Sequence, residues 1–265
     1  MLSYQHGYHA GNLADVHKHA LLAATLDYLT RKDKPLSYLE THAGRALYAL
    51  DAPEAVKTGE AAQGITRAAH LFGADHPYAR VLARVRALHG PAAYPGSPLL
   101  AALMLRPGDR MHLAELHPQE HAALVAAMRP FGAQVHHEDG LKMALARTPP
   151  DPRRGLMLID PSYEVKADYD AIPRHMAAIH RKWNVGLLIL WYPILRGGSH
   201  GAMLRALEGA FPEGLRHEVR FPPAREGHRM EGSGLFIVNA PYGLDQELAA
   251  LTARFARLSK PAAKA

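Results

Sequence analysis

The stretch Leu156-Met157-Leu158-Ile159-Asp160-Pro161-Ser162-Tyr163 limits what this chain can fold into more than any other segment. Four apolar residues after Gly155 are long enough for a buried strand and too short for a buried helix. Pro161 has no N–H and restricts the residue before it, so the ladder ends at Asp160. That ending places a carboxylate, a bent backbone and an aromatic ring together at the carboxyl edge of a parallel sheet, where open α/β sheets bind their ligands.

The chemistry available at such an edge is specific. An amine conjugated to an aromatic ring is a poor nucleophile because its lone pair is delocalised. A site that accepts both N–H protons, one at Asp160 and one at the carbonyl of Pro161, makes the nitrogen more tetrahedral and turns its lone pair toward an electrophile. Tyr163 is then placed to stack on the base that carries the amine. Stacking of about 1–3 kcal/mol per base is comparable with the cost of unstacking it. The set suits N-methylation of a flipped or unpaired base. The plainer reading is a strand closed by an Asx-type turn with Tyr163 packed away, and the tetrapeptide alone leaves both open.

Length and composition narrow the classes. The 265 residues can form one large α/β domain, or one domain with an insertion. A formal charge of +6 and 18 histidines favour an anionic partner, of which nucleic acid is the commonest. The absence of cysteine excludes disulfides, thiolate nucleophiles and thiolate metal sites. The first residues lack the regions of a signal peptide, and the strongest apolar run, Val185 to Leu195, is far short of the ~20 residues that span a bilayer. We therefore expect a cytoplasmic protein with no membrane partner.

Along the chain, Asn12 reads as a helix cap with Asp15 in the first turn, and Val16, Ala20, Ala23, Ala24 and Leu29 form a helical stripe. Lys34-Pro35 stops that helix, and Leu36 to Thr41 reads as the first strand, followed by His42-Ala43-Gly44. A glycine here lets the backbone turn tightly near the start of a following helix. Residues 50–93 break the strand–helix alternation and read as a helical insertion, in which Arg80, Arg84 and Arg86 fit either an RNA-facing flap or a plain solvated charged face. The expected domains are thus 1–49 with 94–265, and the inserted 50–93. Ser97 reads as the cap of a helix through Met104, with Pro98 at its first position.

Further strands are expected at Arg110 to Leu116, Gln134 to Glu138, Leu156 to Asp160 and Gly186 to Tyr192. A terminal pair follows, Arg216 to Phe221 and Gly234 to Asn239, separated by the basic loop Pro222 to Gly232. Helices are expected at Pro118 to Met128, around Tyr169 to Lys182, and after Asp245. Repeated strand, helix, strand with no solenoid period predicts a doubly wound sheet with right-handed connections.

Strand ends then carry the functional signal: His42 with Gly44, Glu115, Asp139 with Gly140, and Asp160. An acid ending the second strand is placed to take both hydroxyls of a ribose, and Asp139 to accept from an adenine amine. S-adenosylmethionine fits better than a dinucleotide, because no Gly-x-Gly-x-x-Gly follows the first strand.

With these residues in hand, the chain resembles the large-subunit ribosomal RNA adenine-N6 methyltransferases of the RlmJ type. The likeness runs through Met1-Leu2-Ser3-Tyr4, His9-Ala10-Gly11-Asn12, Ala14-Asp15-Val16, Lys18-His19, Lys34-Pro35 and Thr41-His42-Ala43-Gly44. It continues in Tyr94-Pro95-Gly96-Ser97-Pro98, Glu115-Leu116-His117-Pro118, Asp139-Gly140, Asp160-Pro161, Trp191-Tyr192-Pro193 and Ser233-Gly234. The resemblance implies a class I, Rossmann-like methyltransferase fold, a mostly parallel seven-stranded sheet with a small helical insertion. It implies S-adenosylmethionine as cofactor, S-adenosylhomocysteine as product, no metal, and one adenine of 23S rRNA as target. It assigns His19, His42, Ser97, Glu115, Asp139, Gly140 and Asp160 to the cofactor pocket with Lys18 beside it, Asp160 to catalysis, and Tyr4 to RNA contact. We expect Gly44 in the same pocket, Pro161 and Tyr163 against the substrate, and a monomer.

Two departures stand out. Where the family usually has a second glycine, this chain has Arg45-Ala46, which adds a methyl group on the approach to the methionine end; where the motif usually reads Asp-Pro-Pro-Tyr, it has Ser162. They are the only support for a competing reading, a catalytically silent RNA-binding or ribosome-assembly factor. A metal hydrolase using His6, His9, His17, His19 and His42 needs a convergence that the spacing does not offer, since His17 and His19 diverge on one helix.

Overall fold

Strand residues alternate between two separate cores, and this sets the layers. In the computed structural model, which describes residues 5–224, 227 and 229–258, Tyr38, Leu156, Leu158, Leu187, Ile189, Leu235 and Ile237 face one hydrophobic cluster. Their neighbours Leu39, Met157, Ile159, Leu188, Leu190, Phe236 and Val238 face the other. Strands covered on both faces read as continuous apolar runs, as 156–159 does.

The strands are β1 (Ser37–Glu40), β2 (Leu47–Ala49), β3 (Ala93–Pro95), β4 (Arg110–Ala114), β5 (Gln134–His136), β6 (Gly155–Ile159), β7 (Leu187–Leu195), β8 (Leu215–Arg220) and β9 (Met230–Val238). Seven of them form one sheet in the order β5-β4-β1-β6-β7-β9-β8, while β2 and β3 pair separately. The first five strands of that order run parallel, and β9 lies antiparallel to β7 and to β8. The chain moves outward from β1 to β4 and β5, then returns to β6 and β7, so its switch point lies at the carboxyl end of β1. This is the expected Rossmann-like, class I methyltransferase arrangement.

The helices are α1 (Leu13–Thr30), α2 (Pro53–Thr58), α3 (Glu60–Gln63), α4 (Ile65–Ala68), α5 (Pro77–His89), α6 (Ser97–Met104), α7 (Pro118–Met128), α8 (Gly140–Arg147), α9 (Asp168–Lys182), α10 (Gly201–Ala210) and α11 (Leu244–Leu258). α1, α5, α6, α7 and α11 cover the first face, and α8, α9 and α10 the second. α1 begins as its sequence dictates, with the Asn12 side chain accepting from the Asp15 N–H at 2.9 Å.

Several local expectations differ from the structure. The turn after Gly44 leads into the short strand β2, not a helix, because Leu47 to Ala49 pairs with Ala93 to Pro95 and so closes off residues 50–92. Gly96 caps α6, and Ser97 lies inside the helix with its hydroxyl turned to Glu40. β7 runs past Pro193, which is tolerated because β6 ends at Ile159 and leaves that stretch paired only with β9. Arg80 is tied to Asp27 at 2.6 Å and Arg84 to the Leu103 carbonyl at 3.1 Å, so these two arginines fasten α5 to the body. α8 and α10 are short helices that the sequence pattern did not announce.

Candidate active site

The carboxyl edge of the parallel strands opens into a cavity of about 580 Å3. Lys18 and His19 reach it from α1, His42 and Gly44 from the loop after β1, and Ser97 from the start of α6. Glu115 enters after β4, Asp139 and Gly140 after β5, and Asp160 and Pro161 after β6. The structure thus gathers nine cofactor-site expectations and Pro161 around one space. Tyr4 lies outside the described residues.

Asp160 is 12% exposed, and Lys18 donates to its Oδ2 at 2.5 Å. The same ammonium reaches Asp15 Oδ1 at 3.2 Å, which the i, i+3 spacing on α1 makes possible. Burial works against the Lys18 charge, but the Asp160 and Asp15 carboxylates outweigh it and raise its pKa, so the ammonium is fully charged at neutral pH. Burial also works against the Asp15 charge, yet His6 and Lys18 hold its carboxyl well below the usual range. Asp15 accepts further from the Gly11 N–H at 2.9 Å and bonds His6 Nε2 at 2.9 Å.

Glu115 binds the two neighbouring loops together. Its Oε2 accepts from the Gly44 N–H at 2.8 Å and its Oε1 from the His117 N–H at 2.7 Å. Gly44 has a φ of +61°, and a Cβ there would lie 2.4 Å from the Tyr48 hydroxyl oxygen, so this turn requires glycine. Asp139 caps α8, with Oδ1 accepting from the Lys142 N–H at 2.9 Å and Oδ2 still available to a ligand amine. His42 is kept neutral by burial, and its Nδ1 is 2.7 Å from Thr41 Oγ1. Burial likewise pushes His19 down to about 3.

Tyr163 departs from expectation. It is 8% exposed, takes no part in the cavity wall, packs its ring on Tyr169 at 4.6 Å and donates its hydroxyl to the Trp191 carbonyl at 2.9 Å. Its φ of +55° turns the side chain inward, so its faces are not free to stack on a base. Trp191 stands in the wall instead, half-buried, with Lys18 Nζ 5.6 Å from its ring centre.

The two departures sit differently. Ala46 takes the left-handed conformation that glycine favours, φ +67°, but its methyl is buried in the core and adds nothing to the cavity wall. Ser162 lines the cavity, and Tyr163 is held by Tyr169 and Trp191 whatever precedes it.

Glu40 escaped the sequence reading. Fully buried at the end of β1, it accepts from Tyr38 Oη at 2.7 Å and from the Ser97 hydroxyl, and burial pushes its carboxyl up to about 8. Its one signal was an acid in an otherwise uncharged buried strand.

The residues suit an adenosine-containing methyl donor: acids after β4 and β5, a glycine turn after β1, and a further acid after β6 share one cavity. Comparisons with known proteins agree. A family model described as "Ribosomal RNA large subunit methyltransferase D, RlmJ" matches residues 33–262. The chain is 37% identical to ribosomal RNA large subunit methyltransferase J of Escherichia coli, over 94% of this chain and 90% of that protein. It is 35% identical to the Haemophilus influenzae protein of the same name, with the same coverage. A crystal structure of a Legionella pneumophila protein superposes with a TM-score of 0.85 at 35% identity, covering 95% of this chain and 94% of that one.

Proposed function

The chain belongs to the RlmJ family of ribosomal RNA large subunit methyltransferases, and on that premise we propose that it methylates the N6 amine of one adenine in 23S rRNA at the cavity around Asp160. S-adenosylmethionine, bound there, supplies an electrophilic methyl group on a sulfonium, and S-adenosylhomocysteine is left. Glu115 would hold the ribose hydroxyls, and Asp139 would accept from the cofactor's adenine amine. Lys18, His19, His42, Gly44, Ser97 and Gly140 would shape the remaining wall.

The observation that carries this reading is Asp160 at the end of β6, opening on the same cavity as Glu115 and Asp139, with one carboxylate oxygen taken by Lys18. Asp160 Oδ1 and the Pro161 carbonyl are the two acceptors for the N–H groups of the acceptor amine. Accepting both concentrates the lone pair on nitrogen and aims it along one line. Alignment of bound reactants can supply up to about 7–11 kcal/mol, against 10²–10⁴-fold from a general base, so positioning dominates. After transfer the nitrogen would carry the methyl group, two protons and a positive charge, and one of those protons would pass to Asp160 Oδ1 or to solvent.

The protein acts on RNA in the cytoplasm and as a monomer in this reading. No described helix is long and apolar enough to cross a membrane. The test is Asp160→Ala: methyl transfer to unmodified 23S rRNA should vanish, while S-adenosylmethionine still binds by isothermal titration. Transfer at the wild-type rate would overturn the mechanism, and wild-type protein that adds no N6-methyladenine to 23S rRNA would overturn the function.

A further inference from the structure

Trp191 is gripped at both ends. It follows Leu190, whose partner across the sheet is Ile159, so it stands beside Asp160 at the reacting edge. Its carbonyl accepts from the Tyr163 hydroxyl, and its indole Nε1 donates to Ser233 Oγ at 2.9 Å. From Ser233 a chain of contacts crosses the protein. Ser233 Oγ lies 2.9 Å from His17 Nδ1, His17 Nε2 lies 2.9 Å from His217 Nδ1, and His217 Nε2 lies 2.9 Å from Thr252 Oγ1, on the exposed side of α11.

The chain has one consistent direction. Thr252 donates to the Leu248 carbonyl at 3.1 Å, so it accepts from His217 Nε2–H. His217 Nδ1 is then an acceptor and takes the proton of His17 Nε2–H. His17 Nδ1 in turn accepts from the Ser233 hydroxyl, whose oxygen is left to receive the indole N–H. Every donor meets an acceptor provided both imidazoles are neutral, and burial lowers the pKa of each. A second proton on His217 would set its Nδ1–H against the His17 Nε2–H. His17 and Ser233 are wholly buried, and Phe255 packs against His17 with ring centres 5.6 Å apart, so water offers no substitute partner there.

We infer that Ser233, His17 and His217 are positioning residues for Trp191, and that the indole they fix is the wall against which the acceptor base lies. This rests on the methyl-transfer reading above. A half-buried indole can turn about its own side-chain bonds, and a single bonded N–H selects one setting. The ring then presents its face beside Asp160, where Tyr163 cannot. A reacting group misplaced by about 1 Å can lose about 10²-fold in rate, so fixing that wall matters to transfer more than to binding the methyl donor.

The test uses the whole protein with unmethylated 23S rRNA. Ser233→Ala should shift the Trp191 indole N–H resonance and leave that of Trp183, which donates to the Arg153 carbonyl. Single-turnover transfer should fall about tenfold while affinity for S-adenosylmethionine stays within about twofold. In a Trp191→Phe background, which keeps a ring but has no N–H, Ser233→Ala should cost nothing further.

At the far end, His217→Leu should act in the same direction as Ser233→Ala. His217→Gln, which retains an acceptor and a donor, should restore transfer and resonance; these variants also serve if Ser233→Ala does not fold. Equal losses from Ser233→Ala in both backgrounds, or wild-type transfer by Ser233→Ala and His217→Leu, would overturn the inference. Wild-type protein that transfers no methyl group would overturn the functional reading itself, and this inference with it.

Discussion

Lys18 Nζ lies 2.5 Å from Asp160 Oδ2, so in the proposed reaction this carboxylate would meet an acceptor amine with only its other oxygen. The same ammonium is shared with Asp15, 2% exposed, at 3.2 Å. Lys18 therefore balances two acids that would otherwise repel each other in a place water hardly reaches. Breaking a buried pair by removing one partner leaves an uncompensated charge and costs about 3–5 kcal/mol.

Lys18→Met should accordingly lower stability by about 3 kcal/mol near neutral pH. The Asp15 carboxyl is depressed in the fold, so its contribution is present above the ordinary carboxylate range and is lost as pH falls through the lower folded value. The Lys18 ammonium is raised, so its contribution is present below the ordinary lysine range and is lost as pH climbs through the higher folded value. The difference between wild type and Lys18→Met should therefore be largest on the plateau between those limits and shrink in acid. Urea unfolding across that range measures it.

Glu40 predicts the opposite slope. Its carboxyl has a folded pKa of about 8 against an ordinary 4.5, chiefly from burial. The unfolded chain releases this proton first, so the contribution is fully present below about pH 4.5 and is lost as pH rises to about 8. Glu40→Gln keeps the size and an acceptor oxygen but cannot ionise. It should flatten the fall in unfolding free energy over that window and be the more stable protein at its alkaline end, by an amount on the order of a few kcal/mol. Equal slopes for the two proteins would show that Glu40 does not titrate as argued.

Glu115 should govern affinity for the methyl donor. Both its oxygens already accept backbone N–H groups, from Gly44 and His117, so it sets the loop geometry, and in the proposed function its remaining lone pairs would take the ribose. Glu115→Gln puts an amide N–H against one of those backbone donors. Hydrogen bonds to charged groups are worth about 1.5–3 kcal/mol, so S-adenosylmethionine binding should weaken by about 10–100-fold in isothermal titration. Trp191→Phe should leave that affinity unchanged, which separates the two halves of the cavity.

The sheet was legible because its signals are local. Leu156 to Ile159 is apolar without a break, and Pro161 marks where it stops; Asn12 and Asp15 mark where α1 starts. The acids after β4, β5 and β6 could be read as one site because parallel strands bring their carboxyl ends to one edge whatever separates them in sequence. What stayed hidden depends on long-range partners. Ser97 looks like a cap until Glu40 takes its hydroxyl, and Tyr163 looks like a stacking face until Tyr169 and Trp191 claim it. His17 looked like one candidate metal ligand among five, and its partners Ser233 and His217 lie 216 and 200 residues away. The alanine at position 46 reads as a departure on the cofactor approach, yet its methyl turns into the core.

The family resemblance places Gly140 in the pocket, and the structure gives it a steric reason of its own. It opens α8 against the end of β1, and a Cβ there would stand 1.7 Å from the Thr41 carbonyl oxygen, with the Thr41 carbonyl carbon and Cα at 2.5 and 2.8 Å. These are backbone atoms of the residue directly after a central strand and cannot step aside as a side-chain tip would. Gly140→Ala must therefore push α8 away from the sheet, carrying the Asp139 cap with it and widening the part of the cavity assigned to the cofactor's adenine. Overpacking of this kind typically costs about 1–3 kcal/mol, and with no flexible neighbour to yield, the upper end applies. Thermal unfolding of Gly140→Ala should show that loss together with weaker S-adenosylmethionine binding. Gly132→Ala, with no atom within 4 Å of the added carbon but a φ of +65°, should cost only local strain of about 1 kcal/mol and leave binding intact.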